Sequence, residues 1–265
     1  MFSPFTLALK YLRYWATASN GRGHGIHSPF VFDFVTEVLN NRRQYYAYEM
    51  VEALRAKLLL NKSTLTIEDF GAGSTTGAGR ERTIASIAKN AAKPKKYAQV
   101  LFRMANHYQP KRILELGTSL GVSTAYLALG NPHSMVLSFE GAKAIAEKAL
   151  SNFNNLGIQN ITLVQGNFDT TLPKVLEAVD QIDMAFVDGN HRREPTIRYF
   201  ESLLPRLSPD SVIIFDDIHW SEEMELAWKE ICGHPKVLLS VDLFFLGIVF
   251  VNPAFKVKQH FSIRF

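Results

Sequence analysis

A single cysteine, Cys232, stands in a chain of 265 residues. One thiol excludes an internal disulfide and a cysteine-rich zinc site, and it suits a reducing cytoplasm, the expected location. Cys232 itself reads as a small buried hydrophobe. Long apolar runs are also missing: the longest, Val237 to Val251, is interrupted by Asp242. No N-terminal stretch has the charged, apolar and small-residue order of a signal peptide, so a soluble protein with no membrane partner is expected. Charge of one sign is scarce as well, with 29 Lys and Arg against 25 Asp and Glu, a net of +4. The basic pairs Arg42-Arg43, Lys95-Lys96 and Arg192-Arg193 are scattered along the chain. Nucleic acid, which needs one concentrated basic face, is therefore the lesser expectation beside a small-molecule substrate. What the chain does hold is 47% hydrophobic and 20% charged residues, enough to bury a full core as one domain or one with an appendage.

From about residue 94 onward, strand-like and helix-like segments alternate, the pattern of a parallel sheet covered by helices. Val100, Leu101, Met104, Ala105 and Tyr108 have helical spacing and lead into the short apolar run Ile113 to Leu116, which ends at a glycine turn. Further strands are expected at Met135 to Phe139, Ile161 to Val164, Ile182 to Val187 and Ser211 to Phe215. Ala142, Ile145, Ala146, Ala149, Leu150 and Phe153 form the apolar stripe of a helix that Gly157 would end. Val237 to Leu243 and Phe245 to Val251 leave no room for a crossover helix, so they must be antiparallel neighbours. The first ninety or so residues are rich in aromatics and mainly helical, with a glycine-rich interruption at Gly71 to Gly79. The expected organisation is a helical cap over 1–93 and an α/β domain over 94–265.

The segment Ile113-Leu114-Glu115-Leu116-Gly117-Thr118-Ser119-Leu120-Gly121-Val122-Ser123 reads as buried strand, tight turn and helix start. In open parallel sheets that arrangement holds a ligand at the strands' carboxyl edge. Gly117 and Gly121 would let backbone approach the ligand without a Cβ in the way. The middle glycine of a dinucleotide fingerprint is missing, since Ser119 stands there, and so is the Gly-Lys-Ser/Thr ending of a P-loop. A nicotinamide oxidoreductase and a non-catalytic nucleic-acid-binding protein remain the rival classes. The next strand ends in Glu140-Gly141, placing a carboxylate where it can accept both hydroxyl protons of a ribose, although a helix N-terminal acid would look the same. The third ends in Gly166-Asn167-Phe168-Asp169, where Phe168 could pack on a purine and Asp169 accept from its exocyclic amine.

These residues together resemble the class I methyltransferases, and among them the small O-methyltransferases of the catechol and caffeoyl-CoA type. The resemblance spans roughly Tyr97 to Val251, in register through Glu115-Leu116-Gly117, Glu140, Gly166, Asp188 and the pair Asp216-Asp217. It implies a Rossmann-like, mostly parallel sheet of seven strands in the order 3-2-1-4-5-7-6, the last antiparallel, and S-adenosylmethionine as cofactor. The cofactor-binding candidates are Glu115, Gly117, Thr118, Ser119, Gly121, Ser123, Glu140, Gly141, Gly166, Asn167, Phe168, Asp169 and Asp188. The acceptor is expected to be an oxygen of a small or planar molecule, with RNA or protein as the alternative within the same fold. A homodimer is compatible with the sequence.

The tips of the fourth and fifth strands would converge Asp188, Asp216 and Asp217, a hard oxygen set suited to Mg²⁺ or another divalent cation. The competing reading is an Asp-Gly turn, with Asp216 or Asp217 capping the next helix. His191 stands three residues after Asp188, where the resembling enzymes place a lysine that deprotonates the acceptor, and imidazole can take that proton. His219 is a second candidate, as base or metal ligand. Two N-terminal features complete the inventory. Thr66 to Ser74 imitates the cofactor loop but reads as a lid or decoy turn. In His24-Gly25-Ile26-His27-Ser28-Pro29, Ser28 reads as a helix N-cap and Pro29 as the first helical residue, and the alternative is that His24 and His27 face the substrate.

Overall fold

Ser3 and Ser28 each precede a proline and an apolar stretch, and each starts a helix. The serine oxygen accepts a backbone N–H while proline takes the first position, where its missing donor costs nothing. Helix α1 runs Pro4–Thr17, with Thr6 N–H donating to Ser3 Oγ at 3.1 Å. Helix α2, Pro29–Asp33, has Val31 N–H on Ser28 Oγ at 3.4 Å and continues as a π-helical turn, Phe34–Leu39. The computed structural model describes residues 1–23, 25–67 and 80–265. His24 and the glycine-rich stretch Gly71 to Gly79 lie outside the described residues, as does most of the decoy turn. Two compact units make up the chain, residues 42–178 and residues 1–41 joined with 179–265.

The unit 42–178 begins with α3, Tyr46–Leu60. Next comes a hairpin that the helical reading of this region does not anticipate: β1, Thr64–Ile67, pairs antiparallel with β2, Arg80–Thr83. Three of the four β1 residues are β-branched, which favours the pleated backbone over the helix. Thr83 then caps α4, Ile84–Ala91, and α5 follows at Lys95–Tyr108. The parallel ladder is built from β3, Arg112–Leu116, β4, Met135–Glu140, and β5, Ile161–Gln165, with β4 between the other two. Its crossovers are α6, Val122–Gly130, and α7, Lys143–Leu156, and α8, Phe168–Ala178, follows β5. Gly157 ends α7 in the left-handed conformation, φ 69°, as its position predicts. Ile113, Leu114, Leu116, Val136 and Phe139 are wholly removed from solvent, each such side chain contributing about 1.5–3 kcal/mol.

In the other unit, β6, Ile182–Val187, is followed by α9, Arg193–Leu203, β7, Leu207–Asp216, α10, Glu222–Gly233, and β8, Leu239–Asp242. The chain then turns back at once into β9, Leu246–Phe250, and ends in β10, Gln259–Ser262. Strand order within this unit is β10-β8-β9-β7-β6. β9 is antiparallel to both β7 and β8, as the short connection demands, and β6 and β7 are parallel. β10 is a strand beyond the seven expected; it lies parallel to β8 and pairs what would otherwise be an open edge. Tyr14 of α1 and Ala18 just after it are buried with Phe244, and Leu7, Tyr11 and Phe245 pack around them. Among the described residues no helix is long and apolar enough to cross a membrane.

Candidate cofactor and metal sites

β3 delivers the chain to a turn in which Gly117, Ser119 and Gly121 all have positive φ, at 106°, 47° and 83°. Neighbouring β4 holds that turn in place. Gly117 N–H and Thr118 N–H both donate to the Phe139 carbonyl at 3.0 Å. Glu140, at the tip of β4, accepts Ser119 N–H on Oε2 at 2.8 Å and Ala142 N–H on Oε1 at 2.9 Å. Burial pushes the Glu140 carboxyl above its ordinary value, and the N–H groups of Ala142, Ser119 and Gly141 offset only part of that push.

Beneath the turn, Glu115 is fully buried, and its Oε2 accepts the hydroxyls of Thr124 at 2.5 Å and Ser138 at 2.6 Å. Thr118 and Ser138 hydroxyls meet at 2.5 Å. This geometry makes Glu115 a support for the turn from below. Thr124 and Ser138 escape a sequence reading, and the only signal for them is a hydroxyl at a position that helix and strand periodicity bury. At Gly121 a Cβ would lie 2.4 Å from Cε1 of Phe153, so φ and the packing of α7 demand glycine whatever binds nearby. Phe153 thus gives this glycine a packing reason of its own.

The remaining cofactor candidates of this unit line the ends of the same three strands. Ser123 is buried in the first turn of α6. Gly166, φ 130°, donates its N–H to the Glu140 carbonyl at 2.9 Å. Asn167 Oδ1 accepts Asp169 N–H at 2.8 Å and so starts α8, in whose exposed first turn Asp169 sits. Phe168 meets Phe139 edge-on, with centroids 6.4 Å apart.

In the other unit the ligating atoms of Asp188, His191 and Asp216 all lie within 4.8 Å of one another. His191 Nε2 is 3.4 Å from Asp188 Oδ1. Asn190 and His191 both adopt positive φ, 68° and 35°, and Asn190 Nδ2 donates to the hydroxyl of buried Tyr199 at 2.7 Å. Tyr199, which the sequence does not single out, thus pins the turn that carries His191. Asp217 is not part of the group: its φ is 51°, and its N–H donates to the Phe245 carbonyl at 2.8 Å. Strand β7 ends at Asp216, and the left-handed backbone of Asp217 breaks the pleat there.

His219 is fully engaged elsewhere. Its Nδ1 lies 3.0 Å from Glu225 Oε1 and its Nε2 2.8 Å from Asp242 Oδ2, and the ring stacks on Phe244 at 5.1 Å. Burial works against the imidazolium, but the bonds and charges of Asp242 and Glu225 outweigh it and hold the ring above its usual pKa. Both ring nitrogens of His219 are thus engaged by carboxylates. Ser221, not Asp216 or Asp217, caps α10 through Met224 N–H. His27 is exposed. Cys232 is half-buried rather than fully buried, and burial raises its thiol to about 11.

Residues 114–218 match the family model described as "Methyltransferase domain". Over 107 residues the chain is 32% identical to a tRNA (guanine-N(7)-)-methyltransferase of Mycoplasma mobile, covering 38% of this chain and 53% of that protein. Over 158 residues it is 28% identical to a catechol O-methyltransferase of Mycobacterium tuberculosis, covering 59% of this chain and 68% of the relative. The chain thus spans about half to two thirds of the length of these curated relatives. Among solved structures, an S-adenosylhomocysteine-bound methyltransferase of Podospora anserina superposes with a TM-score of 0.58 at 14% identity, covering 95% of this chain and 97% of that one. At that identity the likeness is one of fold. The matched segment runs from β3 to the residues just after β7, over the glycine turn and the strand tips described above; that segment is similar to a methyltransferase domain, and the fold of the chain is the Rossmann-like α/β fold of the superposed structure.

Proposed function

We propose that this chain transfers a methyl group from S-adenosylmethionine to an oxygen of a small acceptor. The observation that carries the reading is Glu140, a carboxylate at a strand tip that bridges Ser119 N–H and Ala142 N–H beside the glycine turn. Each carboxylate oxygen keeps a lone pair beyond those bonds, so Glu140 can still accept both hydroxyls of a ribose. Gly117, Thr118, Ser119, Gly121, Ser123, Gly141 and Gly166 form the surrounding backbone cradle, Phe168 packs on the adenine, and Asn167 and Asp169 serve its edge. Glu115 holds the cradle from beneath. The Podospora anserina protein, of the same fold, binds the demethylated cofactor.

The reaction is an in-line displacement: an acceptor oxygen bonds the methyl carbon as the carbon–sulfur bond breaks. The protein aligns the two, excludes water and takes one proton. We assign that proton to His191 Nε2, with Asp188 beside it to stabilise the imidazolium. A second reading is favoured by the convergence of Asp188, His191 and Asp216. Two oxygens and one nitrogen fit a divalent cation, and Mn²⁺, which accepts both donor types, better than Mg²⁺. Such an ion would lower the pKa of a bound hydroxyl. His191 has one lone pair on Nε2, so it serves as base or as ligand, not both at once. Within this proposal residues 1–93 serve the acceptor as a cap and residues 94–265 serve the cofactor.

The test is calorimetry with S-adenosylhomocysteine, NAD and buffer, followed by label transfer from methyl-labelled S-adenosylmethionine to catechols and to bulk tRNA. Micromolar binding of S-adenosylhomocysteine and labelled catechol are expected, the affinity corresponding to about 8 kcal/mol. Binding of NAD alone would sink the proposal, and labelled tRNA with unlabelled catechol would move the acceptor to RNA.

A further inference from the structure

Helix α1 is apolar on two faces, and the fold accounts for only one of them. Leu7, Tyr11, Tyr14 and Ala18 face inward, onto Phe244. Phe5, Leu9, Leu12 and Trp15, at steps of four, three and three, face outward and stand 74%, 52%, 63% and 46% exposed. Ala8 and Ala16 are exposed beside them, so the stripe runs the length of a helix of about 21 Å without a charged residue on it. A contiguous exposed patch of this kind marks an interaction surface.

Charge names the partner. The helix contains Lys10 and Arg13 and no Asp or Glu, and the first acidic residue of the chain is Asp33. Arg13 flanks the stripe and is exposed, and the Arg264 guanidinium lies 5.6 Å over the ring of Trp15. Lys10 is spent on Glu225, at 2.9 Å. The border of the stripe is therefore cationic. Packed against its own copy, this face would bring like charges together with no acid on the helix to answer them. An anionic surface answers them directly, and aromatic and leucine side chains above a basic border are the composition of a helix lying in a lipid headgroup layer.

We propose that the outward face of α1 docks the protein on an anionic lipid bilayer. The contact is peripheral, because fourteen residues of helix are too few to span. The absence of a long apolar run, from which no membrane partner is expected, bears on spanning segments and not on a surface helix. The proposal does not depend on the methyl-transfer reading.

The experiment is co-sedimentation of the full chain with vesicles of phosphatidylcholine alone and of phosphatidylcholine containing about a third phosphatidylglycerol. The expected result is at least about fivefold more protein bound to the anionic vesicles, falling with added salt. Leu9→Asp with Leu12→Asp should abolish that binding and Arg13→Glu should weaken it. These positions face solvent, so melting temperature should stay unchanged. As a measurement on the unaltered fold, Trp15 fluorescence should shift to the blue with anionic vesicles, and the shift should vanish in Trp15→Phe. Protein left in the supernatant of both vesicles, equal binding to both, or binding unaffected by the leucine substitutions would overturn the proposal. So would light scattering that finds a dimer which the double substitution dissolves, since the face would then be covered by a second copy.

Discussion

Ser119 donates its backbone N–H to Glu140 Oε2 at 2.8 Å, so a carboxylate at the tip of one strand holds the turn at the end of its neighbour. Because Ala142 N–H occupies the other oxygen, Glu140 is fixed in one orientation before any ligand arrives. A group held this way loses little freedom on binding, which is why it is expected to matter for affinity. Glu140→Ala removes the ribose acceptor and leaves two backbone donors to water. Hydrogen bonds to a charged group are worth about 1.5–3 kcal/mol, so S-adenosylhomocysteine should bind about tenfold to a hundredfold more weakly by calorimetry. Affinity within about threefold of the parent protein would place the ribose elsewhere.

Gly121 and Gly157 both adopt positive φ but differ in their surroundings. A Cβ at Gly121 meets the Phe153 ring at 2.4 Å, whereas at Gly157 nothing lies within 4 Å. Gly157→Ala should therefore cost only the left-handed backbone, about 1–2 kcal/mol. Gly121→Ala adds overpacking of about 1–3 kcal/mol to the same strain. Thermal melting should rank them clearly, with Gly121→Ala several degrees lower, and equal melting temperatures would refute the packing argument.

His219 makes stability depend on pH. Its folded pKa is raised above the ordinary 6.5 by Asp242 and Glu225, which outweigh burial. The imidazolium's contribution is fully present below the unfolded value and is lost as pH rises through the folded one. Melting temperature should thus fall over the range above about pH 6.5, and His219→Gln should lose that segment of the slope. A variant whose profile runs parallel to the parent's would show that the carboxylates do not hold the proton.

For the metal reading, geometry and sequence part company. Asp216 lies in the cluster with Asp188 and His191, while Asp217 does not. Mn²⁺ should raise the melting temperature more than Mg²⁺ does. Asp216→Asn should weaken Mn²⁺ binding by about tenfold or more, while Asp217→Asn leaves it nearly unchanged. The reverse order of the two variants would restore the all-aspartate site, and no response to either ion would leave His191 as the base alone.

The strands and helices between Ile113 and Phe215 are legible in the sequence because their signals are local. Short apolar runs, 3.6-residue apolar periods, glycine at a turn and Gly157 after a helix each act within a few residues. The antiparallel β8 and β9 follow from chain length alone, since no crossover fits between them. The hairpin of β1 and β2 is harder to read: its two strands are joined by a long connection, and neither four-residue strand declares a partner. β10 is hidden for the same reason, because what makes it a strand is the open edge of β8.

Which side chains meet is a different kind of question. The sequence by itself placed Glu140, Asp188, His191 and Asp216 at or just beyond the ends of strands. Only the tertiary structure decided that Thr124 and Ser138 close on Glu115, that the Phe153 ring packs where a Cβ of residue 121 would lie, and that Asp242 and Glu225 claim both nitrogens of His219. It also decided that Asp216 joins the cluster while Asp217 turns to the Phe245 carbonyl. Strand and helix signals act through neighbours in the chain, whereas these contacts join residues from six to over thirty positions apart, and only packing sets their distance and direction.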